Sequence, residues 1–149
     1  MSLIERINAD FKQAMLERDE VRKVTLNSLK SAIKYKEVEK GAGSQLSDAE
    51  IEAVVAHEVK SRNDSIDVYT QAGDDERAAA ERAERDILAA YLPRQLTPEE
   101  LKTKIAQIIQ AGGYAASDFG RIMGQAKTEI GNAADGAAMA AAVREYFAQ

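Results

Sequence analysis

The chain has 149 residues, no cysteine, one histidine and a net charge of −5, and its 45% of hydrophobic residues is weighted toward alanine, with only 5% aromatics. These values exclude a disulfide framework, a thiol nucleophile and a zinc site of ordinary composition, and they argue against a β-sandwich, a barrel or a generally basic nucleic-acid binder. The opening MSLIERINADF has no basic segment leading into a long apolar run, and no window approaches the roughly 18 apolar residues of a spanning helix, so a soluble, cytoplasmic protein without membrane contact is expected.

Helix signals fill the chain. Ser2 with Glu5 makes a capping box, and Ile4, Ile7, Phe11 and Met15 follow at helical spacing. A second helix is expected from Asp19 or Glu20 to about Lys40, with Val21, Val24, Leu29 and Ile33 as its apolar face and Gly41-Ala42-Gly43 as its stop. Ser47 with Glu50 is another capping box, opening a long helix that carries Ile51, Val54, Val55, Val59, Ile66 and Tyr69 and ends at Gly73. Asp74 to Leu92 reads as a fourth helix, its apolar weight lying late in Ile87, Leu88, Tyr91 and Leu92, and Pro93 ends it. Thr97-Pro98-Glu99-Glu100 combines an N-cap, a proline at the first helical position and a capping glutamate. Three short helices follow: Pro98 to about Ala111, Asp118 to about Ile130, and about Gly136 to Ala148, with Ser117 and Asp135 as N-caps of the last two. Strand-like alternation is absent. The fold class expected is all-α, an N-terminal helical domain of about four helices (1–93) and a C-terminal three-helix domain (94–149).

Catalytic and metal signatures are missing. His57 is followed by Glu58, but Ser61 stands where a zinc-protease helix needs its second histidine, so His57 reads as a solvated helix residue. The carboxylates lie among arginines at helical spacing, as in the pair Glu81 and Arg85, which is surface stabilisation. No catalytic residue, metal ligand or cofactor site is assigned.

Charge is polarised along the chain. Val21 to Lys36 holds Arg22, Lys23, Lys30, Lys34 and Lys36 and no acid, whereas Asp74 to Asp86 holds six acids against three arginines. Lys23, Lys30 and Lys34 fall along one helical stripe that could contact successive phosphates. A second candidate is SDFGRIMG, Ser117 to Gly124. Gly120 and Gly124 lie four apart on one helical face, where each costs roughly 1 kcal/mol relative to alanine. Close helix packing and turning is the favoured reading of these glycines, and a small-residue patch that admits a ligand backbone is the other. No phosphate-cradling glycine loop is present.

Five segments occur in an order that resembles the YqeY family: LKSAIKYKEVEKG (29–41), EVKSRNDSIDVYTQAG (58–73), ILAAYLPRQLTPEEL (87–101), DFGRIMG (118–124) and ADG (134–136). Together they span essentially the whole chain. The family is similar to the C-terminal region of the B subunit of aspartyl/glutamyl-tRNA amidotransferase, where that region helps hold tRNA while the active sites lie elsewhere. The resemblance implies two helical domains meeting near YLPRQL and tRNA contact through the C-terminal one, around GRIMG and the loop into ADG. Arg121 and Lys127 are the expected phosphate contacts, Gly120 and Gly124 the places where backbone can approach, and Lys23, Lys30 and Lys34 a second surface. The chain departs from the family pattern at Gly131 to Ala138, which carries no positive charge where basic residues commonly flank ADG. The function expected is a non-catalytic accessory that binds tRNA or assists a tRNA-dependent amidotransferase or synthetase. The alternatives are a protein–protein adaptor that docks through its alanine-rich last helix and, last, a glutamine-dependent carbon–nitrogen ligase.

Overall fold

Seven α-helices carry the chain, and no strand forms in the computed structural model, which describes residues 1–149. They are α1 (Leu3–Glu17), α2 (Glu20–Lys40), α3 (Asp48–Gln71), α4 (Asp75–Ala89), α5 (Pro98–Gly112), α6 (Phe119–Ile130) and α7 (Gly136–Ala148). The all-α class, four helices then three, is as the helix signals indicate. The chain divides into two compact units, Met1–Leu92 and Pro93–Gln149.

Side-chain caps set most helix starts. At Ser2, Ser47 and Thr97 the hydroxyl accepts from the backbone of Glu5, Glu50 and Glu100, and each glutamate accepts in return from the cap's N–H. Asp19, Asp74 and Asp135 accept from the N–H of Arg22, Arg77 and Ala138. Such a cap contributes about 1 kcal/mol by satisfying a donor the helix cannot. The sixth helix differs from expectation. Ser117 is not its cap: a 3-10 turn over Ala116–Asp118 precedes it, and the Asp118 carboxylate accepts from Ala115 N at 2.9 Å. The carboxylate is the stronger acceptor and holds the turn, which moves the helix start to Phe119.

The first unit packs Leu3 and Ile7 of α1, Leu26, Leu29 and Ile33 of α2, Ile51 and Val55 of α3, and Leu88 and Tyr91 into one core. The Tyr91 hydroxyl donates to Asp10 at 2.5 Å, and Arg6 lies 4.8 Å over its ring. Burial first, and the Asp10 carboxylate second, push the Tyr91 phenol well above its ordinary pKa, so it stays a donor. Arg62 of α3 is held between Glu58 at 2.6 Å and Glu84 of α4 at 3.5 Å, tying those two helices together.

Three assignments need correction. On α2 the core face is Thr25, Leu26, Leu29 and Ile33, while Val21 and Val24 are exposed. Val24 lies nearly opposite Leu29 and Ile33 around a 3.6-residue helix, and Val21 is turned roughly 80° to 120° away from them, so one face cannot bury all four. On α1, Ala14 rather than Met15 is buried, because it is Ala14 that lies a whole number of turns from Leu3 and Ile7. Arg85 does not pair with Glu81. It reaches Asp86 at 3.1 Å and Asn63 Oδ1 at 3.2 Å, since the face it shares with α3 offers a closer acceptor than the turn before it.

The second unit has a separate core. Leu101, Ile105, Ile108 and Ile109 of α5 pack against Ile122, Ala126 and Ile130 of α6 and Met139, Ala142 and Val143 of α7. Its leading segment is pinned by Leu96 N donating to Ala133 O at 2.9 Å and by Gln95 Nε2 donating to Asn132 O at 2.9 Å. Arg94 forks onto Glu100 through both carboxylate oxygens, at 3.0 and 2.6 Å. That pairing, with the Thr97 N–H, holds the Glu100 carboxyl down at about 2.

Candidate nucleic-acid interface

Helix α6 presents two faces of opposite character. Ile122, Ala126 and Ile130 recur every four residues and enter the core. Gly120, Gly124 and Lys127, four and then three residues apart, share the exposed side. A methyl group built at Gly120 or Gly124 meets no heavy atom within 4 Å. The close-packing reading of these two glycines is therefore wrong: α6 packs through its isoleucines, and the glycine face is bare backbone open to solvent. Gly131 does serve a turn, ending α6 at φ +57°. Thr128 Oγ1 donates to Gly124 O at 3.1 Å, which occupies one of the carbonyls on this face.

Two cations flank the bare stretch. Arg121 and Lys127 are exposed, and neither forms an ion pair or ring contact. Of the other cations of the same unit, Arg94 is engaged with Glu100, Lys102 with Glu145 at 2.9 Å and Arg144 over the Phe119 ring at 5.2 Å, while Lys104 on α5 is exposed and also forms no ion pair. Glu129, the acid of α6, accepts instead from Gln125 at 2.7 Å. The loop into ADG adds no cation, and its one acid, Asp135, is occupied as the cap of α7.

The N-terminal lysine stripe is in a different state. Lys23 lies 3.3 Å from Glu20, Lys34 lies 3.6 Å from Glu37, and Lys30 sits 4.5 Å over the Phe11 ring. Both glutamates stand outside the acid-free window from Val21 to Lys36, one on each side, and helical spacing returns them to the lysines. The five-cation run is thus partly neutralised. His57 is exposed on α3 and borders a groove of about 820 Å³ between α2 and α3, with Glu58 committed to Arg62. No three His, Cys, Asp or Glu side chains converge as a metal site.

A second groove of about 330 Å³ lies within the C-terminal unit, floored by Leu96, Leu101, Ala134, Ala138 and Ala142. Sequence reading missed both grooves. Their walls come from residues far apart in the chain, so no local spacing signals them.

The chain matches the model of the family described as Yqey-like protein over residues 4–147. It is 29% identical over 110 residues to "Altered inheritance of mitochondria protein 41, mitochondrial" of Clavispora lusitaniae, a match covering 72% of this chain and 63% of that protein. It is 30% identical over 95 residues to the protein of the same name in Saccharomyces cerevisiae, covering 64% of this chain and 51% of that one. The chain thus spans between about half and just under two-thirds of the length of these curated relatives. Their names overturn the cytoplasmic expectation, for these relatives are mitochondrial proteins by name. That expectation rested on a short N-terminal stretch and on apolar run lengths, and neither distinguishes one aqueous compartment from another. No helix is long and apolar enough to cross a membrane. With nearly the whole of its length matched by the family model, the chain belongs to the YqeY family.

Proposed function

We propose that this protein is a non-catalytic accessory that binds tRNA through the exposed face of α6, in support of a tRNA-dependent amidotransferase or synthetase. The observation that carries this reading is the pairing of bare backbone at Gly120 and Gly124 with two uncommitted cations, Arg121 and Lys127. A glycine face lets a sugar–phosphate backbone approach the helix closely, and unpaired cations release counterions from it without first breaking an ion pair. Lys23, Lys30 and Lys34 form a secondary surface, weaker because Glu20 and Glu37 compete with phosphate for two of them. Arg121→Ala with Lys127→Ala is expected to weaken tRNA binding about tenfold or more and to lower the salt slope by roughly two units. Unchanged affinity in that double variant removes the assignment.

One observation favours a second reading, the adaptor. The apolar groove along α7 has alanines for much of its floor and offers the close approach that a partner helix uses. Partners captured from lysate by the adaptor persist after ribonuclease treatment, whereas partners held through tRNA are lost.

A further inference from the structure

The valines that α2 leaves outside the core belong to a pattern. Val21, Val24, Tyr35 and Val38 are 52%, 57%, 66% and 64% exposed. With Ser28 and Ser31, also exposed, they sit at steps of three, four, three, four and three residues along the helix. That is the spacing of a coiled-coil seam. Helix α2 carries Glu20, Arg22, Lys23, Lys30, Lys34, Lys36, Glu37, Glu39 and Lys40, yet none of these charges falls on the seam. A surface helix face is ordinarily where charge goes. Here the charges are displaced to the flanks and pair along the helix, Lys23 with Glu20 and Lys36 with Glu39 at 2.9 Å.

The seam reads the same in both directions: two large apolar residues, two serines, two large apolar residues. Reversal exchanges Val21 with Val38, Val24 with Tyr35 and Ser28 with Ser31. An antiparallel two-fold pairing of α2 with another α2 therefore sets each large side chain against a large one and each serine against a serine, as an isologous interface requires. The ends of the seam are not equivalent in shape. Beside Tyr35 lies the groove of about 820 Å³, lined by Ala32, Leu46, Ala53 and Val54, and neither Val21 nor Val24 borders it. Antiparallel pairing brings the Val21–Val24 end of each copy to the groove of the other, and parallel pairing does not. One charge agrees with this register: Arg18, in the turn before α2 and without an ion-pair partner, is brought toward the Glu39 end of the second copy's α2. The seam from Val21 to Val38 is about 26 Å long, small for a lasting interface, and the two filled grooves extend it toward the roughly 1,200 Å² at which specific association becomes stable.

From this pattern we infer that the protein forms a two-fold homodimer through the outer face of α2, antiparallel, with the Val21–Val24 end of each copy against the Tyr35 groove of the other. The inference does not rest on tRNA binding through α6.

Sedimentation equilibrium of the full chain, freed of RNA by ribonuclease, tests it over a range of concentrations. The expected mass is twice 16.2 kDa. Val24→Glu with Tyr35→Glu, both exposed in one copy, is expected to raise the dissociation constant about 30-fold or more, as loss of a central anchor does, with the circular dichroism unchanged. If that variant loses helicity, Ser28→Arg at the middle of the seam takes its place. The chain has no native cysteine, so Val24→Cys with Tyr35→Cys is expected to cross-link on mild oxidation while Val24→Cys alone is not. A monomer at every concentration, a dimer undisturbed by these charged variants, or cross-linking by Val24→Cys alone each overturns the proposal.

Discussion

Gly124 separates two demands that usually coincide. It stands in the interior of α6, where glycine lowers stability, and nothing in the fold needs the space it leaves. Gly124→Ala is therefore expected to stabilise the C-terminal unit by about 1 kcal/mol. The same methyl group intrudes on the face assigned to tRNA, so affinity is expected to fall while the melting temperature rises. Thermal denaturation and a tRNA titration on one preparation check both halves, and a variant that is more stable and binds as well as the parent contradicts the assignment. At this scale the sequence was partly legible. That Gly120 and Gly124 share a face follows from their spacing alone, but whether that face is packed or bare depends on where α5 and α7 lie. The same limit applies to Lys23 and Lys34, whose neutralising acids, Glu20 and Glu37, can be read from spacing only once side-chain reach is considered along with sign.

Among the elements, α5 shows how much of the fold is written locally. The run Thr97-Pro98-Glu99-Glu100 announces a helix start, and every predicted part of it forms: the hydroxyl cap, the proline in the first turn and the returning glutamate. Arg94 adds a partner that the capping rule does not anticipate. Because Arg94 and the Thr97 N–H hold Glu100 at about 2 in the folded chain, against an ordinary 4.5, its contribution is fully present above about pH 4.5 and is lost as pH falls toward 2. Glu100→Gln is expected to melt earlier than the parent at neutral pH and to converge with it in acid. Parallel curves across that range would show that Glu100 is not the titrating cap. Helix α2 is the opposite case. Its apolar residues occupy two faces, and composition cannot say which is inward. Thr25, a polar residue, is 2% exposed while Val24 beside it is 57% exposed. Core packing against Leu3, Ile51 and Leu88 decides that, and those contacts are remote in sequence.

For the molecule as a whole, no residue is shared between the core of Met1–Leu92 and the core of Pro93–Gln149. The proposed α6 face for tRNA lies in the second unit and the unpartnered seam in the first, so binding through α6 and self-association are separable by mutation, whereas Lys23, Lys30 and Lys34 share α2 with the seam. The net charge of −5 sets a further condition. Association with a polyanion must come from local cations against an unfavourable overall field, and it weakens steeply as salt screens the few contacts that favour it. The direct measurement is fluorescence anisotropy of labelled tRNA with the intact protein at rising salt, beside duplex DNA of similar length. Selective binding to tRNA, with a logarithmic salt slope of roughly two to four units, is the predicted result. Equally feeble binding to both nucleic acids at low salt would contradict the tRNA-binding account.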